Sequence, residues 1–419
     1  FYPKKSKLIR NGKRFLLKQK SNENKWLRRY KKYCAVKARD TVKPREISSF
    51  DDSSRLVALR EEMKQLLRVF EEAGAIEIDV PYLLDSDVLI DLYGEDIRNR
   101  AYSTTNSFGV KKILRPDFTV PIVQMHIATE KKDAKYSYSG PVWRSQPYGG
   151  NKPAEYYQVG FEYFHEAESS KADADVFDLF QRGMRGIELE TEVGDMGIIR
   201  AIVNCLDISD NKRRLLLRHL WRPDRFRQLL KQLSLGDSSN DPRAALFRAI
   251  KNEKLEAFIE QNGPIIGKRS VDEILLRSKE LLIEETKKPI PQVVVSMIEK
   301  IQSLKSPLCD APNKISEFLS LGSEFGDVRD KLSSRIQLMS EIGIDVSKLN
   351  FVANLTRTSL EYYDGFIFTC SVKGSSSLPP VAQGGRYNAL TAIVGKGASI
   401  PAVGGIIRPE ILSLIKMEH

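Results

Sequence analysis

Cysteine and histidine are both scarce, with four of each in 419 residues. Cys34, Cys205, Cys309 and Cys370 are widely scattered and form no CxxC pair, which argues against a disulfide framework or a cysteine-ligated zinc site. Thiols left free suit a reducing compartment, so we expect the cytoplasm. Consecutive apolar residues never reach the about 18 that a membrane span needs, and no apolar segment with a small-residue cleavage site opens the chain. There is no GxGxxG to point to a dinucleotide, so neither metal nor cofactor is implied. Internal repeats are absent, and the only low-complexity tract, "KGSSSLPP", reads as a hairpin loop.

Acidic charge is missing from one place only. Residues 1–46 hold 17 basic and 3 acidic residues, leaving 49 basic and 52 acidic residues for the rest, so the net charge of +11 is entirely terminal. A basic arm of this kind attracts nucleic acid or acts in targeting, but its composition is first that of a disordered, solvated extension, expected over residues 1–47. The remainder is not net basic, so nucleic acid is not the expected partner. What the chain does have is length and 41% apolar residues, enough for two or three units with a sizeable core.

Apolar residues recur at Leu56, Leu59, Met63, Leu66, Phe70 and Ala73, a helical period, with Ser53 or Ser54 as N-cap and Gly74 as stop. Next, "AIEIDVPYLLDSDVLIDL" alternates and meets Pro81, as an edge or interface strand does. "AEYYQVGFEYF" alternates as a strand should, and strand patterns return near the end in "NFVANLT", "EYYDGFIFTCSV", "LPPVAQGGRY" and "IPAVGGII". Between them, residues 197–345 are dominated by short amphipathic helices. The sheet is therefore assembled from both sides of a helical insertion: a first part at 48–196 and the remainder at 346–419, an α+β fold with an antiparallel sheet flanked by helices.

The strand-like segments carry polar residues that core strands avoid. Asp117 and Thr119, two apart, share a face of an extended segment, and Gln158 and Glu162, four apart, share another. Carboxylate, hydroxyl and amide carbonyl suit an ammonium group, and Arg144 can fork onto a carboxylate or phosphate, which together complement an amino acid. Spacing alone leaves open a set of unrelated polar positions on an edge strand. His126 and His165, in apolar or aromatic surroundings, read first as structural, and Cys205 and Cys370 as buried small apolar residues.

The order "ILRPDFT", "GPVWRSQP…YYQVGFEYF", "SLEYYDGFIF", "AQGGRYNAL" and "PAVGG" resembles the class II histidyl-tRNA synthetase core over about residues 50–419, apart from the helical block. Within that family the chain is most similar to the paralogues that serve as regulatory subunits of ATP phosphoribosyltransferase. The resemblance implies a histidine pocket in which Asp117, Thr119 and Gln158 hold the α-ammonium, Asp117 standing for a glutamate one methylene longer. It puts Arg144 at the α-carboxylate, Glu162 and Tyr363 at the imidazole, and Tyr362 and Tyr387 on the lining.

The nucleotide half departs from the family pattern. The synthetase's Arg-x-Glu is here Arg144-Ser145-Gln146, its catalytic arginine aligns with Thr358, one residue after Arg357, and its last ATP-clamping arginine aligns with Ile411. Losing one positioned donor costs roughly 10²–10³ in rate, so adenylation missing two is expected to be about 10⁴–10⁶ slower. We expect no anticodon-binding domain after the last motif. The resemblance thus implies a non-catalytic subunit that binds L-histidine, forms a self-dimer through the opening helix and the Pro81 segment, and joins a short-form catalytic ATP phosphoribosyltransferase chain in a hetero-octamer. The alternatives are a truncated histidine-activating enzyme and, from the basic arm, an RNA-binding member of the fold.

Overall fold

A computed structural model describes residues 50–86, 99–146, 153–235, 244–252, 254–261, 270, 272–278, 289–355, 362–374 and 378–418. The basic arm and residues 357–361 lie outside these. The chain divides into two compact units at Ala58, and the fold and site below belong to the second, Leu59–His419. The first helix, Phe50–Glu72, starts before the serines expected to cap it. It ends as the sequence indicates: Gly74 takes φ +85°, a conformation that favours glycine, and the Ala75 N–H turns back to the Phe70 carbonyl.

Among the described residues, twelve strands follow in chain order: β1 Ile76–Glu77, β2 Leu83–Asp85, β3 Ser103–Thr105, β4 Lys111–Leu114, β5 Ala134–Trp143, β6 Glu155–Phe164, β7 Leu189–Asp195, β8 Lys305–Pro307, β9 Asn350–Val352, β10 Phe366–Val372, β11 Ala382–Arg386 and β12 Ala402–Ile407. Nine form one sheet in the order β1-β5-β6-β12-β11-β10-β7-β9-β8, and β2-β4-β3 form a small second one. The large sheet is antiparallel except at the β1–β5 and β7–β9 pairs. Because β12 and β11, late in the chain, lie between β6 and β10, the sheet is indeed drawn from both sides of the helical stretch. The fold is α+β, as the strand patterns require.

Side-chain parity explains the two cores. Val159 and Phe161 of β6, Phe366 and Phe368 of β10, and Val403 and Ile407 of β12 face the helices Ser169–Gly183, Met196–Cys205 and Glu324–Glu341. Residues of the opposite parity on the same strands, Phe164, Ile367 and Ile406, join Tyr138 and Phe118 on the opposite face. One expectation is corrected here. Thr119 does not continue a strand but opens the helix Thr119–Ala128. Pro121 sits in its first turn, where the missing N–H costs nothing, and Val120 and Val123 are buried at helical spacing.

A buried ionic cluster joins distant parts of the chain. Arg335 of the helix Glu324–Glu341 bonds Asp173 Oδ2 at 2.9 Å and Asp195 Oδ2 at 3.0 Å, while Arg386 of β11 bonds Asp173 Oδ1 at 2.7 Å. Arg386 Nη1 also reaches His165 Nε2 at 3.1 Å. Since guanidinium only donates, Nε2 accepts, and the ring proton belongs on Nδ1, which meets the Ala167 carbonyl. Burial first, and the Arg386 charge second, push the His165 pKa down. His165 is structural, as its setting in the sequence indicates.

Candidate functional site

The site is built on the sheet face that β6 shares with β5 and β12. Glu162 lies opposite Tyr136 on one side and Gly404 on the other, and is fully buried. Three hydroxyls donate to its carboxylate: Thr119 Oγ1 at 2.7 Å and Tyr138 at 3.1 Å to Oε1, and Tyr387 at 2.7 Å to Oε2. Burial pushes its pKa up to about 7 against the opposing pull of these hydrogen bonds. A Cβ at Gly404 would collide with Glu162 Oε2, so the carboxylate fills the side-chain space of the glycine of "AVGG". Gly160 likewise yields its space to the Tyr138 ring.

Four residues back on the same face, Gln158 is fully buried, and neither its Nε2 nor its Oε1 has a partner. The turn carrying Asp117 is pinned from two sides: Arg144 Nε donates to the Pro116 carbonyl at 2.8 Å, and Arg115, stacked 4.0 Å over Phe118, donates to the Pro141 carbonyl at 3.0 Å. Asp117 is buried, and its charge raises the pKa values of Glu162, Tyr362 and Tyr363, to each of which burial contributes most. The rings of Tyr362, Tyr363 and Tyr387 meet edge to face at 5.0 and 6.0 Å. The structure therefore gathers Asp117, Thr119, Glu162, Tyr362, Tyr363 and Tyr387 into one buried side-chain cluster, with Gln158 on the same sheet face and Arg144 bonded to the turn beside Asp117. Thr119 and Asp117 arrive by a turn into a helix rather than by strand alternation.

Tyr138 is the pocket residue that sequence reasoning missed. The alternation of Tyr136 and Tyr138 in "KYSYSG", with a glycine opposite Tyr138 on β6, is the signal that could have found it. At the position where the family pattern has the carboxylate of Arg-x-Glu, Gln146 takes a role no carboxylate could fill. Its Nε2 donates to the Arg144 and Pro153 carbonyls while its Oε1 accepts from Arg100. Ile411, where the last ATP-clamping arginine is expected, packs in the helix-side core.

A sheet of this topology with this pocket defines a class II histidyl-tRNA synthetase-like protein, and the family profile described as histidyl-tRNA synthetase matches residues 52–282 and 279–412. The crystal structure of an ATP phosphoribosyltransferase regulatory subunit/histidyl-tRNA synthetase from Bacillus halodurans superposes with a TM-score of 0.60 at 17% identity, covering 86% of this chain and 79% of that one. A histidine–tRNA ligase subunit from Alicyclobacillus acidocaldarius gives 0.53 at 22% identity, over 89% and 96%. In sequence, an ATP phosphoribosyltransferase regulatory subunit from Allorhizobium ampelinum is 30% identical over 354 residues, 81% of this chain and 93% of that protein. Another from Rhizobium etli is 30% identical over 364 residues, 83% and 95%. The chain belongs to the family of ATP phosphoribosyltransferase regulatory subunits.

Proposed function

We propose that the chain binds L-histidine in the Glu162 pocket and, as the non-catalytic partner of a short-form catalytic ATP phosphoribosyltransferase, confers activation and feedback inhibition in the first step of histidine biosynthesis. The observation that carries the ligand is Gln158. A fully buried amide with both polar atoms unpaired is costly, about 1–3 kcal/mol for each group. An amino acid repairs both, its ammonium meeting the amide oxygen and its carboxylate meeting the amide N–H. Glu162 accepts from an imidazole N–H once a hydroxyl gives way. Gln146 and Ile411, at positions where activation of an amino acid needs charge, support the absence of adenylation. The assembly that goes with this reading is a cytoplasmic self-dimer joined with catalytic chains into a hetero-octamer.

The test mixes this chain with a short-form catalytic chain and measures phosphoribosyl transfer with and without histidine. Activity and its inhibition should both require this chain. A catalytic chain that is fully active and fully inhibitable alone would defeat the regulatory reading, and histidine-dependent ATP–pyrophosphate exchange by this chain alone would defeat the non-catalytic one.

A further inference from the structure

One arginine and three rings are stacked in a column that starts at the surface and ends on Glu162. Tyr82 is the outermost ring, 53% exposed. The guanidinium carbon of Arg115 lies 4.4 Å from the Tyr82 centroid and 4.0 Å from that of Phe118. Phe118 is in turn stacked on Tyr138, with ring centroids 4.3 Å apart and planes 17° from parallel. Arg115, Phe118 and Tyr138 are fully buried, and the Tyr138 hydroxyl donates to Glu162 Oε1 at 3.1 Å. Two glycines on the face that carries Glu162 make room for the column. A Cβ at Gly160 would collide with the hydroxyl end of Tyr138, and one at Gly140 with Arg115 Nη2. Asp79, 2.9 Å from Arg115 Nη1, and the Val80 and Pro141 carbonyls anchor the guanidinium. Its Nη2 has no hydrogen-bond partner, so ring contacts set where that edge lies.

A ligand N–H reaches Glu162 only when a hydroxyl yields its place, and the column decides which one stays. The Thr119 hydroxyl leaves by a single rotation about χ1. The Tyr138 hydroxyl is rigid with its ring, and moving it breaks the contact with Phe118 and, behind that, Arg115. We propose that Arg115, Phe118 and Tyr138 are positioning residues, whose stack keeps the Tyr138 hydroxyl on Glu162 Oε1 while another hydroxyl gives way to the ligand. Burial acts most strongly on Glu162 and the Asp117 charge acts with it, both disfavouring the ionised form; the hydroxyls of Tyr387, Thr119 and Tyr138 oppose them. Keeping one donor in place thus preserves an ionised acceptor. The ligand half of this inference rests on the histidine reading; the bracing of the carboxylate does not.

Two measurements on the full chain test it: urea unfolding from about pH 5 to pH 9, and calorimetry with histidine at about pH 8. Tyr138→Phe removes the hydroxyl and should carry the fall in stability to higher pH than in the wild type, because the carboxyl loses a donor that favours its charge. Histidine should bind about three- to tenfold more weakly. Phe118→Leu keeps the hydroxyl, removes the ring that braces it, and should move both readings in the same direction. Loss of packing alone would lower stability equally at every pH. A folded Phe118→Leu with the wild-type pH profile overturns the role of the stack, whatever its affinity. If that variant does not fold, Tyr138→Phe, which deletes one oxygen, decides in its place by the same criterion. A wild type that ignores histidine while the variants still shift the profile would leave the bracing standing and remove the histidine reading.

Discussion

Glu162 is a carboxylate whose neighbours and whose burial pull in opposite directions. Three hydroxyls favour its charge, burial disfavours it more, and its pKa ends near 7. A raised folded-state pKa means that the folded chain holds the proton more tightly than the unfolded one. The stability contributed is therefore full below about pH 4.5 and is lost as pH rises toward 7. The stake is on the order of 3 kcal/mol for a shift of this size. We predict that urea unfolding of the wild type gives a stability that falls between pH 5 and pH 8, and that Glu162→Gln flattens that slope. The same variant should weaken histidine about tenfold in calorimetry, because an ionic acceptor for a ring N–H becomes a neutral amide. A flat wild-type profile would mean that Glu162 titrates as an ordinary glutamate.

At the scale of elements, the strands that make the pocket were legible because alternation is simple. "AEYYQVGFEYF" reads as β6, and its even-numbered Gln158 and Glu162 do share a face. The segment after "ILRPD" was not read correctly: two polar residues two apart look the same in a strand and at the mouth of a helix, and only the buried Val120 and Val123 distinguish the cases. Among the glycines of β12, Gly404 gives up its side-chain space to the Glu162 carboxylate. We predict that Gly404→Ala, whose methyl would collide with Glu162 Oε2 and approach the Phe161 carbonyl at 2.5 Å, costs about 1–3 kcal/mol of stability and abolishes histidine binding. Retained affinity in that variant would show that Glu162 is not where the ligand sits.

Across the whole molecule, the cluster of Arg335, Asp173, Asp195 and Arg386 adds a side-chain tie to the strand pairing of β6 with β12 and of β7 with β10. Arg386 precedes Tyr387, which donates to Glu162, so the cluster also fixes one wall of the pocket. Arg335→Met should destabilise the chain by about 3–5 kcal/mol, since it leaves Asp195 and half of Asp173 buried without a cation. Thermal unfolding measures this, and a change below about 1 kcal/mol would reduce the cluster to a bystander. Asp173 meets its partners 162 and 213 residues further along the chain. The helical stretch between is thus a detour between fixed anchors. A chain cut anywhere between Asp195 and Arg335 would strand two negative charges, Asp173 and Asp195, in the core of the first piece and two positive charges, Arg335 and Arg386, in the second.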